Sequence, residues 1–189
     1  MFKRILAILM LIAAAFTLTA CGDSQEKAYK SASANLDAGK YAEAAAQFEK
    51  LGSYEDASQM TMYAKALNEA ESGNYDTALK TFSALGAFKD SPQMITYYTA
   101  RELESEEDFD GAIEVYNENP LFKDSQERIL GCTYQIAERY ASYGRFDKAI
   151  ALYQQLGDYK DSAEKLEQTQ TTKNDIIYNH AAQLVESGQ

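Results

Sequence analysis

Gly73-Asn74-Tyr75-Asp76-Thr77-Ala78-Leu79-Lys80-Thr81-Phe82-Ser83-Ala84-Leu85-Gly86 holds one short amphipathic helix from its entry to its exit. Tyr75, Ala78, Leu79 and Phe82 stand at i, i+3, i+4 and i+7, one face of a 3.6-residue period. The phrase returns as Tyr41–Ala44–Phe48, Phe109–Ala112–Tyr116 and Phe146–Ala149–Tyr153. Tyr41 to Tyr75 is a step of 34 residues, and Tyr75 to Phe109 is another. A fixed period of that size predicts an all-α array of stacked helical hairpins, an architecture that generally binds rather than catalyses. Helices of about ten residues are marginal alone, so neighbouring helices must hold them. The central alanine lets a neighbour approach closely, and the flanking rings fill the space on either side.

The exit from the short helix is repeated too. Leu51-Gly52, Leu85-Gly86 and Leu156-Gly157 place glycine where the residue after a helix needs positive φ. The third copy has Asn119-Pro120, which ends the helix by removing a donor. An aromatic follows each time (Tyr54, Phe88, Phe122, Tyr159), and two residues later an aspartate. Three residues beyond stands Gln or Glu: Asp56–Gln59, Asp90–Gln93, Asp124–Glu127 and Asp161–Glu164. That is capping-box spacing, which predicts that each aspartate accepts an amide at the start of a second, longer helix. Pro92 suits such a first turn. A capping role explains the recurrent acids better than catalysis does.

The long helix carries Tyr-x-x-Ala: Tyr29/Ala32, Tyr63/Ala66, Tyr97/Ala100, Tyr134/Ala137 and Tyr178/Ala181. The interval from aspartate to this tyrosine is constant in the first two copies and then grows. The added residues correspond to about one and three extra turns. The later long helices should therefore be longer, or break around Thr169–Asn174, where Thr-rich sequence is a poor helix former. Tyr178/Ala181 reads as the start of a fifth, incomplete unit. Glu186-Ser187-Gly188-Gln189 mirrors Glu71-Ser72-Gly73-Asn74, the approach to a short helix. The expectation is a fragment of a longer protein, with the last helix serving as the array's cap as the alternative.

The first residues read as an address. Lys3 and Arg4 precede an apolar run from Ile5 to Phe16. That run is too short for a permanent span, which needs roughly 20 residues, and suits a secretory leader. Leu18-Thr19-Ala20-Cys21 resembles the lipobox of bacterial lipoproteins. The resemblance implies cleavage before Cys21, acylation of its thiol, and a lipid anchor on that residue; an ordinary signal peptide is the alternative. The domains expected are a signal peptide over 1–20, a lipidated N-terminus and polar tether over 21–28, and a repeat domain over 29–189. Two or more acyl chains hold a protein stably on a bilayer.

The repeat itself, Gly-x-Tyr-x-x-Ala-Leu-x-x-Phe, resembles the second helix of tetratricopeptide repeats over residues 29 to 188. Ala44, Ala78, Ala112 and Ala149 match that family's small contact position, and Phe48, Phe82, Tyr116 and Tyr153 match the aromatic after it. The family's further alanine and closing proline are replaced here by Leu-Gly-x-aromatic-Lys-Asp-Ser, and the first helix lacks the usual Trp and Leu-Gly. What the family implies is a right-handed α-solenoid, preceded here by the signal-peptide helix. Its concave face would be lined by first helices and would take peptides or protein segments.

Composition narrows the function. The chain has 18 basic and 29 acidic side chains, a net charge of −11. Loss of the leader removes Lys3 and Arg4 and no acid, leaving 16 basic against 29 acidic and a net charge of −13. Nucleic acid is not an expected partner, because its binding relies on lysine and arginine at phosphate. With Cys21 lipidated, Cys132 is a lone thiol among Ile129, Leu130 and Tyr134, expected as a buried hydrophobe. His180 is the sole histidine, and one histidine with one thiol makes no His/Cys-rich metal site. No Gly-rich phosphate loop or nucleophile motif occurs. Glu106-Glu107-Asp108 reads as a solvated turn.

The expectation is thus a non-enzymatic, cofactor-free lipoprotein on the extracytoplasmic face of a membrane. That face is the outer side of a plasma membrane or the periplasmic side of an outer membrane. The protein would act as a protein–protein interaction scaffold in the cell envelope. Tyr98, Tyr140 and Tyr143 are candidate contacts for a protein or peptide partner, with internal packing as the alternative for each. Two other readings stand beside it: the stalk of a larger lipoprotein whose activity lies beyond Gln189, and a solute- or peptide-binding lipoprotein.

Overall fold

A computed structural model describes residues 24–187. Among them every regular element is an α-helix and no strand occurs. The helices are α1 (24–37), α2 (Tyr41–Leu51), α3 (Ala57–Glu71), α4 (Tyr75–Leu85), α5 (Ser91–Ser105), α6 (Phe109–Tyr116), α7 (Ser125–Ser142), α8 (Phe146–Leu156) and α9 (Ser162–Glu186). Residues 24–28, read from sequence as the end of a tether, are already helical. The chain forms two compact units, the first ending at Ile95 and the second beginning at Thr96, within α5. In the first unit α3 packs on both α2 and α4; in the second, α7 packs on α6 and α8, and α8 on α9.

Long and short helices alternate as the repeat requires. The alanines that were expected at the close approach, Ala44, Ala78, Ala112 and Ala149, are fully buried, and so are Phe48, Phe82, Tyr116 and Tyr153 four residues on. The facing alanines Ala32, Ala66, Ala100 and Ala137 are buried with them. Small residues on both helices bring the backbones together, and the rings close the gap beyond. The lengthened spacings become helix length. α3 has 15 residues, α7 18 and α9 25, and α9 runs without a break through Thr169–Asn174.

The exit turns explain themselves in backbone terms. Gly157 adopts φ 57°, ψ −119°, and Gly52 and Gly86 match it closely. Only glycine visits that region freely. The turn is closed by Tyr159 N–H donating to Leu156 C=O at 3.1 Å, as Tyr54 does to Leu51 and Phe88 to Leu85. In the third copy the same bond runs from Phe122 N–H to Asn119 C=O at 3.0 Å, with Pro120 in the glycine's place. Proline's fixed φ pre-sets the second residue of a turn. The cost of the exchange is visible: α6 has 8 residues where the other short helices after α1 have 11, and Leu121 is left exposed.

The capping boxes are a correction. Asp56, Asp124 and Asp161 do stand at the N-cap, but none makes a side-chain cap bond. Their ψ of 20–23° lies far from the extended conformation in which a cap residue reaches the N2 or N3 amide. The residue after each aspartate must be small: Ala57, Ser91, Ser125 and Ser162 are all buried. A side-chain cap is made instead at α6, where Asp108 Oδ1 accepts from Gly111 N–H at 3.1 Å. That acid belongs to the run that sequence placed in solvent.

Gly157→Ala should destabilise by about 1–3 kcal/mol through torsion alone, since a Cβ there meets nothing within 4 Å. Ser162→Ala should be neutral or stabilising, because the Ser162 hydroxyl is buried without a hydrogen-bond partner and Ala57 fills the same place in the first copy. Urea denaturation with unchanged m-values checks both; a large loss for Ser162→Ala would show that its hydroxyl is used.

Candidate functional site

The carboxylates have a different partner. Tyr29 OH donates to Asp56 Oδ1, Tyr63 OH to Asp90, Tyr97 OH to Asp124 at 2.5 Å and Tyr134 OH to Asp161 at 2.6 Å, each across 27 residues. The tyrosine of each of the first four Tyr-x-x-Ala pairs thus reaches across its own hairpin to the aspartate that opens the next. Each ring also meets at least two others. Tyr134 lies 6.1 Å from Tyr153 and 6.3 Å from Tyr159, near edge-on to both; Tyr63 stands likewise to Phe82 and Phe88. Tyr97 meets Tyr116 and Phe122, and Tyr29 meets Phe48 and Tyr54. Such ring pairs stabilise by about 0.5–1.5 kcal/mol each beyond area burial.

The residue before each aspartate is held at positive φ: Glu55 at 46°, Lys89 at 50°, Lys123 and Lys160 at 51°. Non-glycine residues pay about 1–3 kcal/mol for such conformations. Here that backbone swings the lysine over the tyrosine face. Lys123 Nζ sits 5.0 Å from the Tyr97 centroid, Lys160 4.9 Å from that of Tyr134 and Lys89 5.8 Å from that of Tyr63. The cation–π contact offsets part of the strain. Glu55, in the first copy, cannot supply it.

Burial first, and the aspartate second, push the Tyr29 hydroxyl up to about 12 and that of Tyr63 higher. The Tyr134 hydroxyl holds Asp161 below the usual carboxylate range. At Asp124 burial pushes upward, but the Tyr97 hydroxyl and Arg128 outweigh it and the carboxyl is lowered. Arg128 ties the second unit together. Its Nη1 donates to Glu104 at 3.0 and 3.2 Å, and its Nε lies 3.2 Å from Tyr97 OH and 3.1 Å from Asp124 Oδ2. Tyr116 OH completes the network by donating to Glu104 at 2.9 Å.

The residues singled out from sequence are dispersed. Cys21, the expected lipid-attachment residue, lies outside the described residues, as does the leader. Tyr98 is fully buried against Tyr97, so it is core and not a partner contact. Tyr140 is half-buried under Lys148, whereas Tyr143 is 73% exposed. His180 is exposed on α9. Cys132 is buried, and burial raises its thiol to about 11, which leaves it a packing residue.

Open grooves accompany the repeat. One of about 480 Å³ in the first unit is lined by Leu36, Asp37, Tyr41, Tyr63, Lys89 and Asp90, with others. A second in that unit places Tyr29, Glu55 and Asp56 in the equivalent positions. In the second unit a groove of about 400 Å³ lies along Glu107, Phe109, Gln135, Glu138 and Arg139. Each combines an aromatic wall with a charged rim, which suits contact with a polypeptide side chain. Among the described residues no three His, Cys, Asp or Glu side chains are grouped to hold a metal ion, and no helix is long and apolar enough to cross a membrane. No family model matches the chain, and neither a curated protein nor a solved structure matches it.

The tyrosine–aspartate contact was readable in principle. The 27-residue interval is constant while the interval from aspartate to the next tyrosine varies; a contact protects its spacing, and an exposed helix end does not.

Tyr63→Phe and Tyr97→Phe should each destabilise by about 1.5–3 kcal/mol, the range for hydrogen bonds to charged groups, measured by urea denaturation. Because the Asp124 and Asp161 carboxyls are depressed in the fold, their contribution is full above the unfolded value of about 4. It is lost as pH falls through the folded values. The melting temperature should drop below about pH 4, and less steeply in Tyr97→Phe; an unchanged slope would refute the assignment.

Proposed function

We propose that the chain is a lipid-anchored lipoprotein on the extracytoplasmic face of a membrane. Its tetratricopeptide-like hairpins stack as a right-handed α-solenoid and serve as a protein–protein interaction scaffold of the cell envelope. The observation that carries this reading is the repeated tyrosine–aspartate contact. The same tyrosine–aspartate bond holds four consecutive hairpins, so side chains outside that contact are free to differ from copy to copy. That division between constant interior and variable surface suits recognition of other polypeptides. The order of Lys3-Arg4, the apolar run and Leu18-Thr19-Ala20-Cys21 supports anchoring through Cys21. The net charge of −11 supports a partner other than nucleic acid.

The stalk of a larger lipoprotein is the second reading, favoured by one observation: α9 carries Tyr178-x-x-Ala181 on its exposed end. Binding of a peptide or small solute in the aromatic-walled grooves is a third.

Cys21→Ala should release the protein from the membrane fraction and abolish palmitate labelling; retention in the pellet at unchanged mass would sink the anchor. A photo-crosslinking amino acid at position 143 should yield a discrete protein adduct in intact envelopes. Adducts with glycan or small solute alone would overturn the scaffold in favour of solute binding.

A further inference from the structure

The groove beside Tyr63 departs from the equivalent places in the second unit. Its floor is Leu36, Leu67 and Met94, its walls are Tyr41 and Tyr63, and its volume is about 480 Å³. The lining comes from α1, α2, α3 and the turn into α5, consecutive elements of the chain. Leu67 stands four residues after Tyr63, and Met94 four after Asp90. In the second unit the same two positions hold charge: Arg101 and Arg128 around Tyr97, Glu138 and Lys165 around Tyr134. Arg128 Nε reaches Tyr97 OH at 3.2 Å and Asp124 Oδ2 at 3.1 Å, and Lys165 Nζ reaches Glu138 at 2.9 Å. Beside both of these tyrosines the chain thus lays a basic side chain, drawn from the helix that the aspartate opens. Beside Tyr63 that helix supplies the uncharged Met94.

The first unit keeps the acceptors without the cation. Asp90 takes the Tyr63 hydroxyl on Oδ1. Among the described residues neither Asp90 nor Asp37, which also lines the groove, joins an ion pair. Burial, and then the Glu71 carboxylate, raise the Tyr41 hydroxyl, so a further negative charge acts on that wall. Lys89, 5.8 Å from the Tyr63 centroid, does not bar a second cation. Lys123 holds the matching place at 5.0 Å from the Tyr97 centroid while Arg128 sits at the hydroxyl. An apolar floor beneath carboxylates suits an alkyl stem with a charged tip. Arginine fits better than lysine. Its planar fork donates to a carboxylate and a phenol at once, as Arg128 does, whereas the Lys165 arrangement needs the carboxylate that Leu67 replaces.

We propose that this groove takes an arginine side chain of a partner polypeptide. The methylenes would lie on Leu36, Leu67 and Met94, and the guanidinium would donate to Asp90 Oδ2 and the Tyr63 hydroxyl oxygen, with Asp37 as the second carboxylate. An open groove of about 480 Å³ exceeds what one side chain fills, which leaves room for the arginine's neighbours in a chain. The inference rests on the scaffold reading and deepens it by naming the side chain that one groove recognises.

The probe is a capped pentapeptide with one central arginine between alanines and glycines. It is titrated into the full-length protein in detergent micelles and followed by methyl NMR at Leu36, Leu67 and Met94. Saturable shifts at those methyls are expected. The same peptide with citrulline, which keeps the shape and loses the charge, should bind about tenfold more weakly, because hydrogen bonds to charged groups are the stronger ones. Asp37→Asn should weaken binding several-fold. Met94→Arg should abolish it by supplying the cation from within, as Arg128 does, at an unchanged melting temperature. Should Met94→Arg not fold, Asp37→Asn decides alone, since it alters an exposed carboxylate. Absence of shifts, or equal binding of the arginine and citrulline peptides, overturns the proposal. So does free L-arginine binding as tightly as the peptide, which would give the groove to a small solute. The adduct at position 143, in the second unit, is read separately: its persistence beside a failed titration sinks this inference alone and leaves the scaffold reading.

Discussion

A phenol donating to a carboxylate across 27 residues organises each hairpin of this protein. The tyrosine belongs to the long helix, the aspartate to the turn that opens the next one, and the short helix lies between them. One bond therefore fixes three elements. Hydrogen bonds to ionised acceptors are stronger than neutral ones, and this one is shielded by two rings from the short helix and its exit. Helices too short to persist alone gain from it what local propensity does not supply.

The same contact accounts for the strained backbone. Between the aromatic that covers the tyrosine and the aspartate that accepts its hydrogen bond there is a single residue. It must turn the chain sharply enough for both neighbours to face the same phenol. Positive φ at Glu55, Lys89, Lys123 and Lys160 follows from that geometry. Three of these residues are lysines, placed over the ring whose electrons they attract. A glycine there would relax the backbone and forfeit the cation.

Variation is tolerated only where the contact is indifferent to it. Pro120 replaces glycine in the third exit because the closing hydrogen bond can be made from either residue's conformation. Three residues enter α7 and ten enter α9 relative to α3, all between an aspartate and the next tyrosine, where they only lengthen a helix. In α7 the added length accompanies an Arg128–Glu104 pair that braces the second unit. In α9 it carries the tyrosine onto a stretch that is exposed among the described residues.

Periodicity at 3.6 and at 34 residues determined the helices, the buried alanines and the rings that flank them, because burial of an apolar face is a local consequence of spacing. The same reading correctly left Cys132 as a packing residue. The aspartates were legible as fixed positions and misread in role: Asp-x-x-Glu has capping-box spacing, but capping depends on a ψ angle that residue types do not encode. Only the assembled hairpin decided that Tyr134 reaches Asp161, that Tyr98 is core and that Asp108 is the cap. A hydrogen bond across 27 residues exists when packing sets two backbones at the right distance, and that distance belongs to the tertiary structure.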